Sequence, residues 1–72
     1  MSGYPVIIEK DPDSDYGAWS PDLPGCVATG STAEESLAAM REAILGHLAV
    51  LREYGDPVPP PSAVRVAIVE TA

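Results

Sequence analysis

Between Thr32 and Gly55 the sequence carries one long helical pattern, and in a chain of 72 residues that dictates how everything else must be arranged. Ala33 to Tyr54 is rich in Ala, Leu, Glu and Arg, and Gly55 stands where a left-handed C-terminal cap is wanted. Ser31 and Thr32 each stand three residues before a glutamate, Glu34 or Glu35, which is capping-box spacing. On a helical wheel Ala33, Leu37, Met40, Ile44, Leu48 and Leu51 fall in one narrow stripe, with Glu35, Glu42 and Glu53 on the far side. A single stripe needs a single surface to pack on, and the flanking sequence offers β segments.

Tyr4 to Lys10 reads as a first strand, with Tyr4, Val6 and Ile8 on one face. Asp11-Pro12-Asp13-Ser14-Asp15 connects a hairpin, and a second strand runs from Tyr16 to about Ser20. Pro21-Asp22-Leu23-Pro24-Gly25 is an ordered turn, since two prolines remove ladder donors and the glycine is free to take a positive φ. Cys26 to Thr29 returns as strand three, ended by Gly30. After the helix, Asp56 to Ser62 is a semi-rigid, proline-rich connector, and Ala63 to Glu70 alternates Val64, Val66 and Ile68 against Arg65, Ala67 and Val69 as a fourth strand. The expected fold is α+β in the order β-β-β-α-β, a small sheet covered by one long helix, as one domain over residues 1–72.

Eleven acidic against four basic residues give a formal net charge of -7. Such a surface repels nucleic-acid phosphates and attracts basic proteins, so direct nucleic-acid binding is not expected and a basic RNA-binding protein is a natural partner class. One cysteine, Cys26, cannot form an internal disulfide or share a zinc site with another, which suits a reducing compartment. The N-terminus lacks the pattern of a secretory signal, and no apolar run reaches the ~20 residues of a membrane span, so a cytoplasmic protein without membrane contact is expected.

The motif order Trp19-Ser20-Pro21-Asp22-Leu23-Pro24-Gly25-Cys26, then Gly30 with Thr32 and Glu35, then Gly55 with Pro59 and Pro61-Ser62, resembles the HicB antitoxins over roughly Tyr4 to Ser62. That resemblance implies a partial RNase H-like fold without nuclease activity, which binds a small basic toxin of the HicA type and covers its RNA-cleaving surface. Many members of the family also carry a C-terminal DNA-binding module, and nothing after Ser62 has the length or basic charge for one.

The stickiest stretch of the sequence is Tyr16, Trp19 and the prolines around Leu23, rimmed by Asp13, Asp15 and Asp22. These six residues, Asp13, Asp15, Tyr16, Trp19, Asp22 and Leu23, are the expected partner-binding set, although Trp19 is favoured as a core ring because small domains need large side chains inside. Neither a catalytic residue, a cofactor nor a metal is expected. Asp11, Asp13 and Asp15 have the spacing of a calcium loop, but Tyr16 replaces its glycine and Asp22 its bidentate glutamate. Cys26 and His47 lack an evident orienting group for nucleophilic chemistry. Glu35, Glu42 and Glu53 point away from the sheet, which disfavours a residual metal-dependent nuclease. The rival to the antitoxin reading is a scaffold or regulator that has lost its toxin. A sheet covered on one face leaves the other bare, and with Leu45, Ala49 and Val50 outside the helix stripe, a homodimer or higher homo-oligomer is expected.

Overall fold

The computed structural model describes residues 3–63 and 65–71. Three strands, β1 (Ile7–Lys10), β2 (Tyr16–Trp19) and β3 (Val27–Gly30), precede one helix, α1 (Ala33–Glu53). The strands form an antiparallel sheet in the order β1-β2-β3. Its register places Ile8, Ala18 and Ala28 in one row and Ile7, Trp19 and Val27 in another. Successive side chains point to opposite faces, so these rows lie on opposite sides of the sheet. The Ala18 side is the inner one, where Ala18, Leu23, Cys26 and Met40 are buried and Ala43, Ile44 and Leu48 pack around them.

β1 starts later than the apolar pattern does. Pro5 has no N–H to donate, and the ladder begins beyond it, yet Tyr4 and Val6 still pack against the core. At the helix start both candidate caps are used. Thr32 is the N-cap, its hydroxyl accepting from Glu35 N–H at 3.0 Å, while the Glu35 carboxylate accepts from the Ser31 N–H at 3.0 Å and from the Ser31 hydroxyl. At the other end Gly55 takes φ 69°, its N–H donating to the Arg52 carbonyl and the Asp56 N–H to the Leu51 carbonyl. That is a Schellman ending, which satisfies carbonyls the helix leaves unpaired.

The buried helix face is turned toward Ser36, which the apolar stripe leaves out. Ser36 is fully buried, and its hydroxyl donates to the Ala33 carbonyl at 2.8 Å. The cause lies in β3: a Cβ on Gly30 would stand 2.5 Å from Ser36 N and 2.8 Å from Glu35 Cβ. Strand and helix touch backbone to backbone there, which admits only small groups.

The proline segment forms two successive turns, closed by Leu23 N–H to the Ser20 carbonyl at 3.3 Å and Cys26 N–H to the Leu23 carbonyl at 3.2 Å. The second has Pro24 followed by Gly25 at φ 83°, the arrangement of a type II turn. It sends Leu23 and Cys26 into the core. Gly25→Val should therefore cost about 2 kcal/mol through left-handed strain alone, since no neighbour crowds the position. Cys26→Ser should cost less, and thermal melts of the two variants compare them directly.

Among the described residues the fourth strand is not formed. Ala63 and residues 65–71 carry no strand, and all are exposed, Ile68 at 92% and Val69 at 83%. Val64 lies outside the described residues. Alternation is a property of the sequence, but a strand also needs an edge to bond to, and the three-stranded sheet of the chain does not take this segment up. The radius of gyration is accordingly 13.6 Å, where a compact chain of this length gives about 11 Å.

Candidate functional site

On the sheet face that α1 does not cover, two rows of residues run side by side. Ile7, Trp19 and Val27 form an apolar row, and Glu9, Gly17 and Thr29 the neighbouring row. Gly17 has nothing within 4 Å of where a Cβ would stand, so the second row dips at its middle. The dip belongs to an open cavity of about 400 Å³, lined by Trp19, Val27 and Thr29 and by the acids Glu9, Asp11 and Asp15. The Trp19 indole N–H donates to a Glu9 carboxylate oxygen at 2.6 Å, which fixes the ring beside the dip. The hairpin holding the acids is closed by Ser14 N–H to the Asp11 carbonyl, with the Ser14 hydroxyl bonded to the Asp11 and Asp15 carbonyls. An aromatic ring and several carboxylates around an uncovered dip are suited to hold a cationic side chain, by contact with the ring and by charge-assisted hydrogen bonds.

The six residues expected at the partner surface divide. Asp13, Asp15 and Trp19 are exposed on the hairpin and the uncovered face. Trp19 is 37% exposed, so the expectation of a core ring is corrected: register with Ile7 and Val27 turns it away from the helix. Tyr16 lies in the inner-face row and is half-buried, with the Lys10 ammonium 5.8 Å from its ring centroid. Leu23, at 1% exposed, is core and offers no side chain to a partner. Glu9, Asp11 and Gly17 were not singled out as binding residues. Glu9 and Gly17 pair directly across β1 and β2, which becomes visible only once the register is known.

Asp22 serves the chain itself. Its carboxylate accepts from the Ser62 hydroxyl at 2.5 Å and from the Ser62 and Ala63 N–H groups, each at 3.2 Å, and so clamps the end of the connector to the turn between β2 and β3. Those bonds, led by the Ser62 hydroxyl, hold the carboxyl below its ordinary pKa. A depressed folded value means that the clamp's contribution is present above the unfolded pKa, near 4, and is lost as pH falls through the folded one. Ser62 and Ala63 amide resonances should thus titrate with a midpoint below that of an ordinary aspartate, and in Asp22→Asn the transition should vanish.

A second cavity, of about 320 Å³, lies between α1 and the start of β3 and counts both Cys26 and His47 among its lining. Burial pushes the Cys26 thiol up, the direction opposite to that of an activated nucleophile. Among the described residues no group of three or more His, Cys, Asp or Glu is placed to hold a metal ion.

The sequence matches the family profile of the HicB-like antitoxin of bacterial toxin–antitoxin systems over residues 4–71. The chain belongs to the HicB-like antitoxin family. UPF0150 protein Ta0767 of Thermoplasma acidophilum is 35% identical, over 90% of this chain and 94% of its own length. Among solved structures, the N-terminal domain of the Burkholderia pseudomallei antitoxin HicB is similar with a TM-score of 0.73 at 39% identity, covering 85% of this chain and 73% of that one. A chain of the HicA3 and HicB3 toxin–antitoxin complex matches at TM-score 0.69 and 31% identity, over 83% of this chain and 70% of that one. Against a longer Burkholderia pseudomallei HicB chain, with TM-score 0.73 and 40% identity, 81% of this chain covers only 44% of the relative. The HicB-like motif around Pro21 to Cys26 now has a physical reading in this chain. It builds the double turn, supplies two core side chains and carries the clamp for the connector. No helix among the described residues is long and apolar enough to cross a membrane.

Proposed function

We propose that this HicB-like chain is a non-enzymatic antitoxin that neutralises a small basic RNA-cleaving toxin of the HicA type in the cytoplasm. The observation that carries the proposal is the dip over Gly17, walled by Trp19 and by Glu9, Asp11 and Asp15, on the sheet face that the helix leaves uncovered. A toxin that grips RNA phosphates presents lysine and arginine side chains, and these are the groups such a dip accepts. The net charge of -7 favours the encounter, and the apolar row of Ile7, Trp19 and Val27 supplies contact that salt does not screen. Its family, and the likeness to a chain from a HicA3 and HicB3 toxin–antitoxin complex, support the same reading. Self-association into a dimer or larger homo-oligomer is part of the proposal, because a domain of this size has a thin core and exposed apolar side chains remain on helix and tail.

Co-expression with the small basic protein encoded beside it tests the reading. The two should copurify through a tag on either chain, and the complex should survive high salt once formed. Recovery of the folded, tagged chain without that protein would overturn the proposal.

A further inference from the structure

We propose that residues 65–71 are an exchange arm: each copy lays this segment along the open edge of β1 in a second copy, completing that copy's sheet as a fourth strand. The inference deepens the self-association proposed above. It rests on that reading, but it names the element that makes the contact.

Four observations converge on it. The first is the arm itself, Arg65-Val66-Ala67-Ile68-Val69-Glu70, which has strand alternation and β-branched residues yet stands exposed without a ladder. An exposed apolar strand of this kind is a template for pairing with another chain. It also lies within the residues matched to the family profile, which extend to 71.

The second is a vacancy beside β1. The cavity shared by Val27 with Ala43, His47 and Val50 places that flank of α1 over β3. Helical spacing then puts Leu37, Leu45 and Leu48 on the opposite flank, toward β1. Ile8 on β1 and Leu45 further round the helix are both exposed. A strand added outside β1 with Val66 and Ile68 on its inner face would cover both.

The third is direction. The connector passes the foot of β1, where the Tyr4 hydroxyl donates to the Pro59 carbonyl, and is then clamped by Asp22 in the turn between β2 and β3. At Ala63 the chain has therefore moved past its own β1 edge. Pro59, Pro60 and Pro61 stiffen the path and oppose a reversal. The fourth is shape: the principal extents are 45 × 26 × 19 Å, while the 21-residue helix accounts for only about 31 Å of the long axis. A rooted, outward segment meets the open edge of a neighbour, and a two-fold relation lets both arms dock reciprocally.

Two measurements on the full chain test this. Light scattering at tens of micromolar should give a dimer or a multiple of it, and Ala67→Pro, placed to interrupt the arm's ladder, should give a monomer that still melts cooperatively but at a lower temperature than the wild-type oligomer. In a Cys26→Ala background, chains carrying only Ile8→Cys should form a disulfide with chains carrying only Ile68→Cys on mild oxidation, giving a covalent heterodimer. A monomeric wild type would overturn self-association and the arm together. A wild-type oligomer that Ala67→Pro leaves intact would overturn the arm alone, as would a doubly substituted chain that cross-links only within itself.

Discussion

Replacing Gly30 with alanine should destabilise the domain by about 3 kcal/mol, the upper part of the range for overpacking a close contact. The added methyl group would meet Ser36 N at 2.5 Å and the Glu35 carbonyl carbon and Cβ at 2.8 Å, and two of those three atoms are backbone. No rotamer change relieves such a clash, so β3 and the first turn of α1 must separate, loosening the contact that buries Ser36 and Met40. In a domain this small, where the core supplies only about 3–5 kcal/mol, the loss amounts to most of the stability, and Tm should fall by about 15 °C. Gly17→Ala is the matched control: no atom stands near its Cβ, and its melt should match that of the wild type. Equal melts for the two alanine variants would show that β3 and α1 do not meet as closely as described.

The second large effect concerns association with a basic toxin. Reversing Glu9, Asp11 and Asp15 to lysine should lower the on-rate at low salt by about 10- to 100-fold, because the change replaces an attractive patch with a repulsive one at the docking face. Reversing Glu34 and Glu53 changes charge on exposed positions at the two ends of the helix and should do much less. The wild-type on-rate should itself fall as salt rises, while the off-rate stays nearly constant, since screening acts on approach more than on buried contact. Stopped-flow association across a salt series measures each of these. A larger loss from the helix pair would place the toxin on the other face.

Much of the architecture was legible because it rests on local chemistry. Thr32, Glu35 and Gly55 announce the helix ends by side-chain type and spacing, and Pro24-Gly25 announces its turn. What the sequence hides is non-local. Ser36 is buried because Gly30 comes close, and neither residue carries a mark of the other. Trp19 faces outward because of its register with Ile7 and Val27, and composition favoured the opposite. Leu23 and Asp22 looked like binding residues for the same reason that they serve the fold: a turn rich in proline and acid resembles an exposed loop until its hydrogen bonds are known. The segment after Ala63 has the alternation of a strand, but alternation cannot specify which chain supplies the pairing edge.

Gly17→Leu offers the most direct test of the site, because its Cβ enters open space and its side chain then occupies the dip, and leucine suits a strand at least as well as glycine. The measurement is RNA cleavage by the cognate toxin as antitoxin is titrated in. Wild type should abolish cleavage near stoichiometric equivalence, whereas Gly17→Leu, with an unchanged melt, should need at least tenfold more. Inhibition by Gly17→Leu equal to that of wild type, or cleavage that persists under a large excess of wild type, would contradict neutralisation through this face.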